Sequence, residues 1–147
     1  MPRLMAPPRL DTVRRLVSEQ DADAALVTHG PDIAWAVGFT GSNGVLVVTE
    51  REAHLVTDGR YREQAAAEVA GATVHVAPGP LAEWAAESGL LGGAATVAFQ
   101  ADHVTVEQRD RWARAFPETA FVGANGLLGG PRRRAIGPPH SRRAPAV

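Results

Sequence analysis

The chain has no cysteine and no lysine. The first absence excludes disulfides, thiolate metal sites and a cysteine nucleophile. The second makes all fifteen basic residues arginine. No apolar run approaches the roughly 20 residues that a membrane-spanning helix needs. Pro2, Pro7 and Pro8 break up the apolar residues of the N-terminus, so no signal peptide is expected and a cytoplasmic location is the default. The chain also contains no GxGxxG, no Gly-Lys-Ser/Thr, no HExxH and no GxSxG. The commonest signatures of dinucleotide, phosphate, zinc and acyl-transfer chemistry are therefore missing.

What is present suits one globular domain: 147 residues, of which 45% are hydrophobic and 21% charged. The formal net charge of −1 hides an asymmetry. Residues 1–130 carry ten arginines against sixteen acids, a net of −6, whereas Arg132, Arg133, Arg134, Arg142 and Arg143 stand in a tail without acids.

Two hydrophobic periods alternate along the body. Leu10, Val13, Leu16 and Val17 recur at helical spacing and predict a first helix. Ala24 to His29 is short, apolar and followed by Gly30-Pro31, the pattern of a buried strand. Pro31 to Gly38 predicts a single helical turn, with proline at its start and glycine as its stop. "GVLVVT" and "AHLVT", separated by Glu50-Arg51-Glu52, predict a hairpin. Asp58 is placed to cap a helix on which Tyr61, Ala65 and Val69 share a face. "TVHV", "TVAF" and "TAFVG" read as strands, and "PLAEWAAESGLL" as a helix. "VTVEQRDRWARAF" reads as a further helix, with Thr105 and Gln108 as a capping box and Val106, Trp112 and Phe116 as apolar surface. The order α-β-(turn)-β-β-α-β-α-β-α-β predicts an α/β fold, a mixed β-sheet flanked by helices. From about Leu127 the Gly-, Pro- and Arg-rich chain is expected to be disordered, leaving a domain over residues 8–126 and a tail over 127–147.

Gly38, Gly41 and Gly44 could suggest a phosphate loop, but they lead into a strand, so no helix N-terminus faces the anion. Gly41-Ser42-Asn43-Gly44 is better read as a tight turn. His29, His54, His75, His103 and His140 show no metal-ligand spacing, and no metal site is expected in this chain. Ser18, Ser42 and Ser88 have no elbow or partner pattern, so no catalytic residue is expected either. Asp58-Gly59-Arg60-Tyr61 could form a recognition patch, but a helix cap, a local Asp–Arg pair and an inward tyrosine is the favoured reading. The arginine tail could neutralise phosphates, yet it has no aromatic residue to stack on bases. Neither nucleic acid nor a membrane is an expected partner.

The segment "THGPDIAWAVGFTGSNGVLVVTEREAHLVTDGRYREQAAAEV" resembles the N-terminal domain of the creatinase, prolidase and Xaa-Pro aminopeptidase family. The residues that carry the likeness are Asp32-Ile33, Gly38 to Ser42, Gly44, Val47 to Thr49, Thr57 to Tyr61 and Gln64-Ala65. The resemblance implies a ribonuclease-H-like α/β domain over about residues 8–126. It also implies that catalysis belongs to a separate C-terminal domain, where two Asp, one His and two Glu hold a pair of divalent metals, commonly manganese. None of those ligands has a counterpart here, so the chain alone is expected to be inactive.

By the same likeness the domain covers a neighbouring subunit's active site and makes dimer contacts. The candidate surface residues are Phe39, Ser42, Asn43, Gly44, Asp58, Arg60 and Tyr61. The expected partner is a second copy or a full-length relative, the latter making the chain a stand-alone regulatory module. Beyond Leu127 the family's usual linker is replaced by arginine-, proline- and glycine-rich sequence, which suggests a truncated or frame-shifted gene product.

Overall fold

The computed structural model describes residues 6–128. The first helix, α1 (Ala6–Glu19), turns Leu10, Val13 and Val17 inward and leads to β1 (Ala24–Val27), all four residues of which are buried. Then follow α2 (Gly30–Val37), β2 (Gly44–Thr49) and β3 (Ala53–Thr57). A short 3-10 turn over Gly59–Tyr61 feeds α3 (Arg62–Glu68). The remainder alternates strictly as β4 (Thr73–Val76), α4 (Leu81–Glu87), β5 (Thr96–Gln100), α5 (Val106–Ala115) and β6 (Ala120–Ala124).

The six strands form one sheet in the order β4-β3-β2-β1-β5-β6. Only β2 runs against the others; it pairs antiparallel with both β1 and β3, while β3–β4, β1–β5 and β5–β6 are parallel. The strand order reverses at β1. From there β2, β3 and β4 build out to one side, and β5 and β6 return on the other.

Strand alternation divides the apolar residues between two faces. Ala25, Val27, Leu46, Val48 and Leu55 pack on one face against Leu10, Val13, Val17, Ile33 and Val37 of α1 and α2. Ala24, Leu26, Val45, Val47 and Val56 pack on the other against Leu81, Ala85 and Trp112 of α4 and α5. Helices cover both faces, which is why the central strands are apolar throughout instead of alternating with polar residues.

The expected hairpin, element order and mixed α/β sheet are all present. Three local expectations are corrected. Pro31 to Gly38 forms two helical turns, because Pro31 supplies a preset first turn and Gly38 closes the helix only after Val37. Gly38 adopts φ +89, and its N–H bonds Ala34 O at 2.9 Å. Val106 is 74% exposed, since at the first position of α5 it points away from the sheet, and Trp112 alone is fully buried on that helix. Leu127 and Leu128, expected to begin a tail, are buried in the α1–α2 core. The packed unit therefore extends at least to residue 128, and the remainder of the expected tail lies outside the described residues.

Candidate functional site

Because five strands run parallel, the loops that follow β1, β3, β4 and β5 gather at one edge of the sheet, together with the loop that enters β2. In open α/β sheets this carboxyl edge, at the point where strand order reverses, is where ligands bind. Here it holds an open cleft of about 420 Å³ lined by Thr28, Ser42, Asn43, Gly44, His103 and Arg111, among others. Thr28 Oγ1 is buried there without a hydrogen-bond partner among the described residues.

One wall of the edge is a polar knot organised by Asp58. Its side chain accepts from Arg60 N at 2.8 Å, capping the 3-10 turn, and from Asn43 Nδ2 at 2.6 Å across to the loop before β2. The Arg60 guanidinium adds a fork, Nε to Oδ1 at 3.0 Å and a terminal nitrogen to Oδ2 at 2.9 Å. These bonds favour the ionised form, those from the Arg60 side chain most and the one from Asn43 next, and they hold the carboxyl well below its ordinary range. Thr57 Oγ1, itself buried, donates to Asn43 O at 2.5 Å, and Ser42 Oγ bonds the Tyr61 hydroxyl. The Arg60 guanidinium carbon lies 5.2 Å from the centre of the Tyr61 ring.

Glycine is demanded at Gly41. A Cβ there would come within 2.3 Å of Phe39 Cζ and 2.9 Å of Tyr61 Cδ1. A second brace fixes the loop from below. Glu68 on α3 accepts from Thr40 N at 2.8 Å and from the Thr40 hydroxyl, and Gln64 bonds the same hydroxyl at 3.1 Å.

Of the candidate residues named from sequence, Ser42, Asn43, Gly44, Asp58, Arg60 and Tyr61 are brought together, with Ser42 and Arg60 exposed. Phe39 differs. It is buried edge-on against Tyr61 with ring centres 5.9 Å apart, so it supports the loop and cannot itself touch a partner. Asp58 and Arg60 do form the expected local cap and ion pair, with Asp58 half-buried and Arg60 exposed.

The structure also assembles a group that the sequence spacing did not disclose. His29, Asp32 and His103 place donor atoms within 4.8 Å of one another. His29 precedes α2, Asp32 lies in its first turn and His103 follows β5. Parallel pairing of Leu26 with Phe99 brings the two segments together. No other group of three or more such side chains occurs among the described residues, and this one does not match the two-Asp, one-His, two-Glu set implied by the family resemblance.

Sheet order, braced turn and capped junction together define a mixed α/β domain with a pre-organised carboxyl edge. The family model described as the Creatinase/Prolidase N-terminal domain matches residues 9–133, and the chain belongs to that family. Over 97 residues it is 30% identical to "Uncharacterized peptidase YqhT" of Bacillus subtilis (strain 168), covering 66% of this chain and 28% of that protein. A 32-residue stretch is 62% identical to "Xaa-Pro aminopeptidase 2" of Sus scrofa, covering 22% of this chain and 5% of the relative. Among solved structures, the N-terminal domain of cytoplasmic peptidase PepQ from Mycobacterium tuberculosis H37Rv superposes with a TM-score of 0.77 at 31% identity, covering 84% of this chain and 97% of that one. The chain thus spans well under a third of the length of the first two relatives but nearly all of a solved N-terminal domain.

Proposed function

We propose that this chain is the non-catalytic N-terminal domain of an Xaa-Pro aminopeptidase-like peptidase, and that its carboxyl edge contacts a second subunit and borders that subunit's active site. The observation that carries this is the braced crest of Ser42, Asn43, Asp58, Arg60 and Tyr61. Its hydrogen bonds run within the crest, yet Ser42 and Arg60 remain exposed. A surface that is pre-organised in this way loses little conformational entropy on docking.

In this reading the hydrolytic groups, including the divalent metals, come from another domain, and the protein works in the cytoplasm. Among the described residues no helix is long and apolar enough to cross a membrane, and the PepQ relative is described as cytoplasmic.

Two assays test the proposal. Purified chain supplied with manganese should release no amino acid from an Xaa-Pro peptide; turnover by the chain alone overturns the non-catalytic assignment. In sedimentation experiments the chain should associate with itself or with a full-length Xaa-Pro peptidase, and Arg60→Glu should weaken that association. Association only with the full-length partner would make the chain a regulatory module. A monomer indifferent to both would refute the contact surface.

A further inference from the structure

We propose that His29, Asp32 and His103 form a binding site for one divalent transition-metal ion, such as zinc or cobalt, at the mouth of the carboxyl-edge cleft. The donors already lie within 4.8 Å of one another. Around an ion with bonds of about 2.0–2.2 Å, ligand atoms sit roughly 3–4.4 Å apart, so the donors are already close to ligand spacing and what remains is to reorient a ring. Two imidazoles and one carboxylate favour zinc, cobalt, nickel or copper over calcium or magnesium, which prefer all-oxygen shells. Such a set also leaves coordination positions open, and His103 is one of the side chains that line the cleft, with Thr28.

The carboxylate is oriented in advance. Asp32 is only 2% exposed, and Gln100 Nε2 donates to its Oδ2 at 2.7 Å. Gln100 is itself clamped, its Oε1 accepting from Thr28 N and His29 N at 2.9 Å each. One buried amide therefore aims Asp32 and ties down the backbone of His29, the kind of outer support that ligating side chains need. On the other flank, Asp102 Oδ2 lies 3.6 Å from His103 Nε2.

The rings of His29 and His103 stack at 3.7 Å with 7° between their planes. Their in-plane lone pairs then run side by side and do not converge. Seating an ion requires one ring to leave the stack, and His103, on the exposed loop between β5 and α5, is the one placed to turn. Metal binding should therefore break the ring stack and tie that loop to the start of α2.

The test is to titrate the intact chain with zinc by calorimetry and to follow the histidine ring protons by NMR. One ion per chain is expected, with the His29 and His103 ring signals losing their mutual ring-current shifts. His103→Ala, on a loop where folding is readily confirmed by circular dichroism, should lower affinity at least about tenfold. His29→Ala should do the same, while His75→Ala should leave binding unchanged. Three outcomes would overturn the proposal: no saturable binding with zinc in excess, undiminished affinity in folded His103→Ala, or binding that moves the His54 and His75 rings instead.

Discussion

Gly41 has no room for a side chain: the ring atoms of Phe39 and Tyr61 fill the space in which a Cβ would lie. Gly41→Ala should cost about 1–3 kcal/mol, the range for overpacking a site that cannot expand, and a thermal melt will show it as a lowered midpoint. Asp58 adds a pH dependence to the same loop. Its carboxyl is held below the ordinary 3.8 by the Arg60 and Asn43 hydrogen bonds, so the unfolded chain binds this proton more readily than the folded one. The stability it contributes is complete above the unfolded value and is lost as pH falls below about 4 toward the folded one. Urea midpoints taken from pH 7 down to 3 should therefore fall less steeply in Asp58→Asn than in the parent. An equal slope would mean that the knot is not coupled to folding.

Strand β4 is held to β3 by more than backbone pairing. Glu52 Oε1 lies 2.9 Å from His54 Nε2, and His54 Nδ1 lies 2.9 Å from His75 Nε2. A carboxylate can only accept, so the network assigns the His54 proton to Nε2, leaving Nδ1 to accept from His75. Burial, then the nearby His54, lowers the pKa of His75 from its ordinary 6.5. The fold thus favours neutral His75, and its contribution is present above pH 6.5 and lost as pH falls through the lower folded value. Chemical denaturation should show a loss of stability between pH 7.5 and 5.5 that His75→Phe reduces; an unchanged loss would place the titration elsewhere. The hairpin beneath this link was legible in the sequence, because two β-branched runs flank Glu50-Arg51-Glu52. So was the cap of α5, where Thr105 accepts from Gln108 N at 3.0 Å. The His54–His75 bond was not, since it depends on the parallel register that sets Val56 beside His75. Nor was the His29–Asp32–His103 group, whose members meet only once β1 pairs with β5.

At the scale of the whole molecule, two apolar layers enclose one sheet, and the C-terminal end of the described chain closes one of them. Leu127 and Leu128 belong to the same buried cluster as Leu10, Val13 and Phe39, among others. Composition concealed this, because their neighbours are the glycines, prolines and arginines of a segment that reads as unstructured. Leu128→Ala should cost about 2–5 kcal/mol, as for other fully buried leucines, whereas a true tail position would cost almost nothing. Equilibrium urea unfolding separates these outcomes. The fold class was accessible from sequence because period-2 and helical segments alternate cleanly. The strand order was not, because nothing local reveals that β5 crosses over to lie beside β1.

That crossover also governs how the chain comes off the ribosome. The β2–β3 hairpin needs only neighbouring residues and can form as soon as both strands have emerged. Ala24, by contrast, waits for Val97 before its second edge is paired. Throughout the synthesis of the intervening segment, the central strand presents an apolar flank with its backbone groups unmatched. Contacts so distant along the chain slow folding and leave partly folded states open to aggregation. One edge of the strand at the centre of the finished sheet is therefore matched early by β2, and the other only after most of the chain has been made.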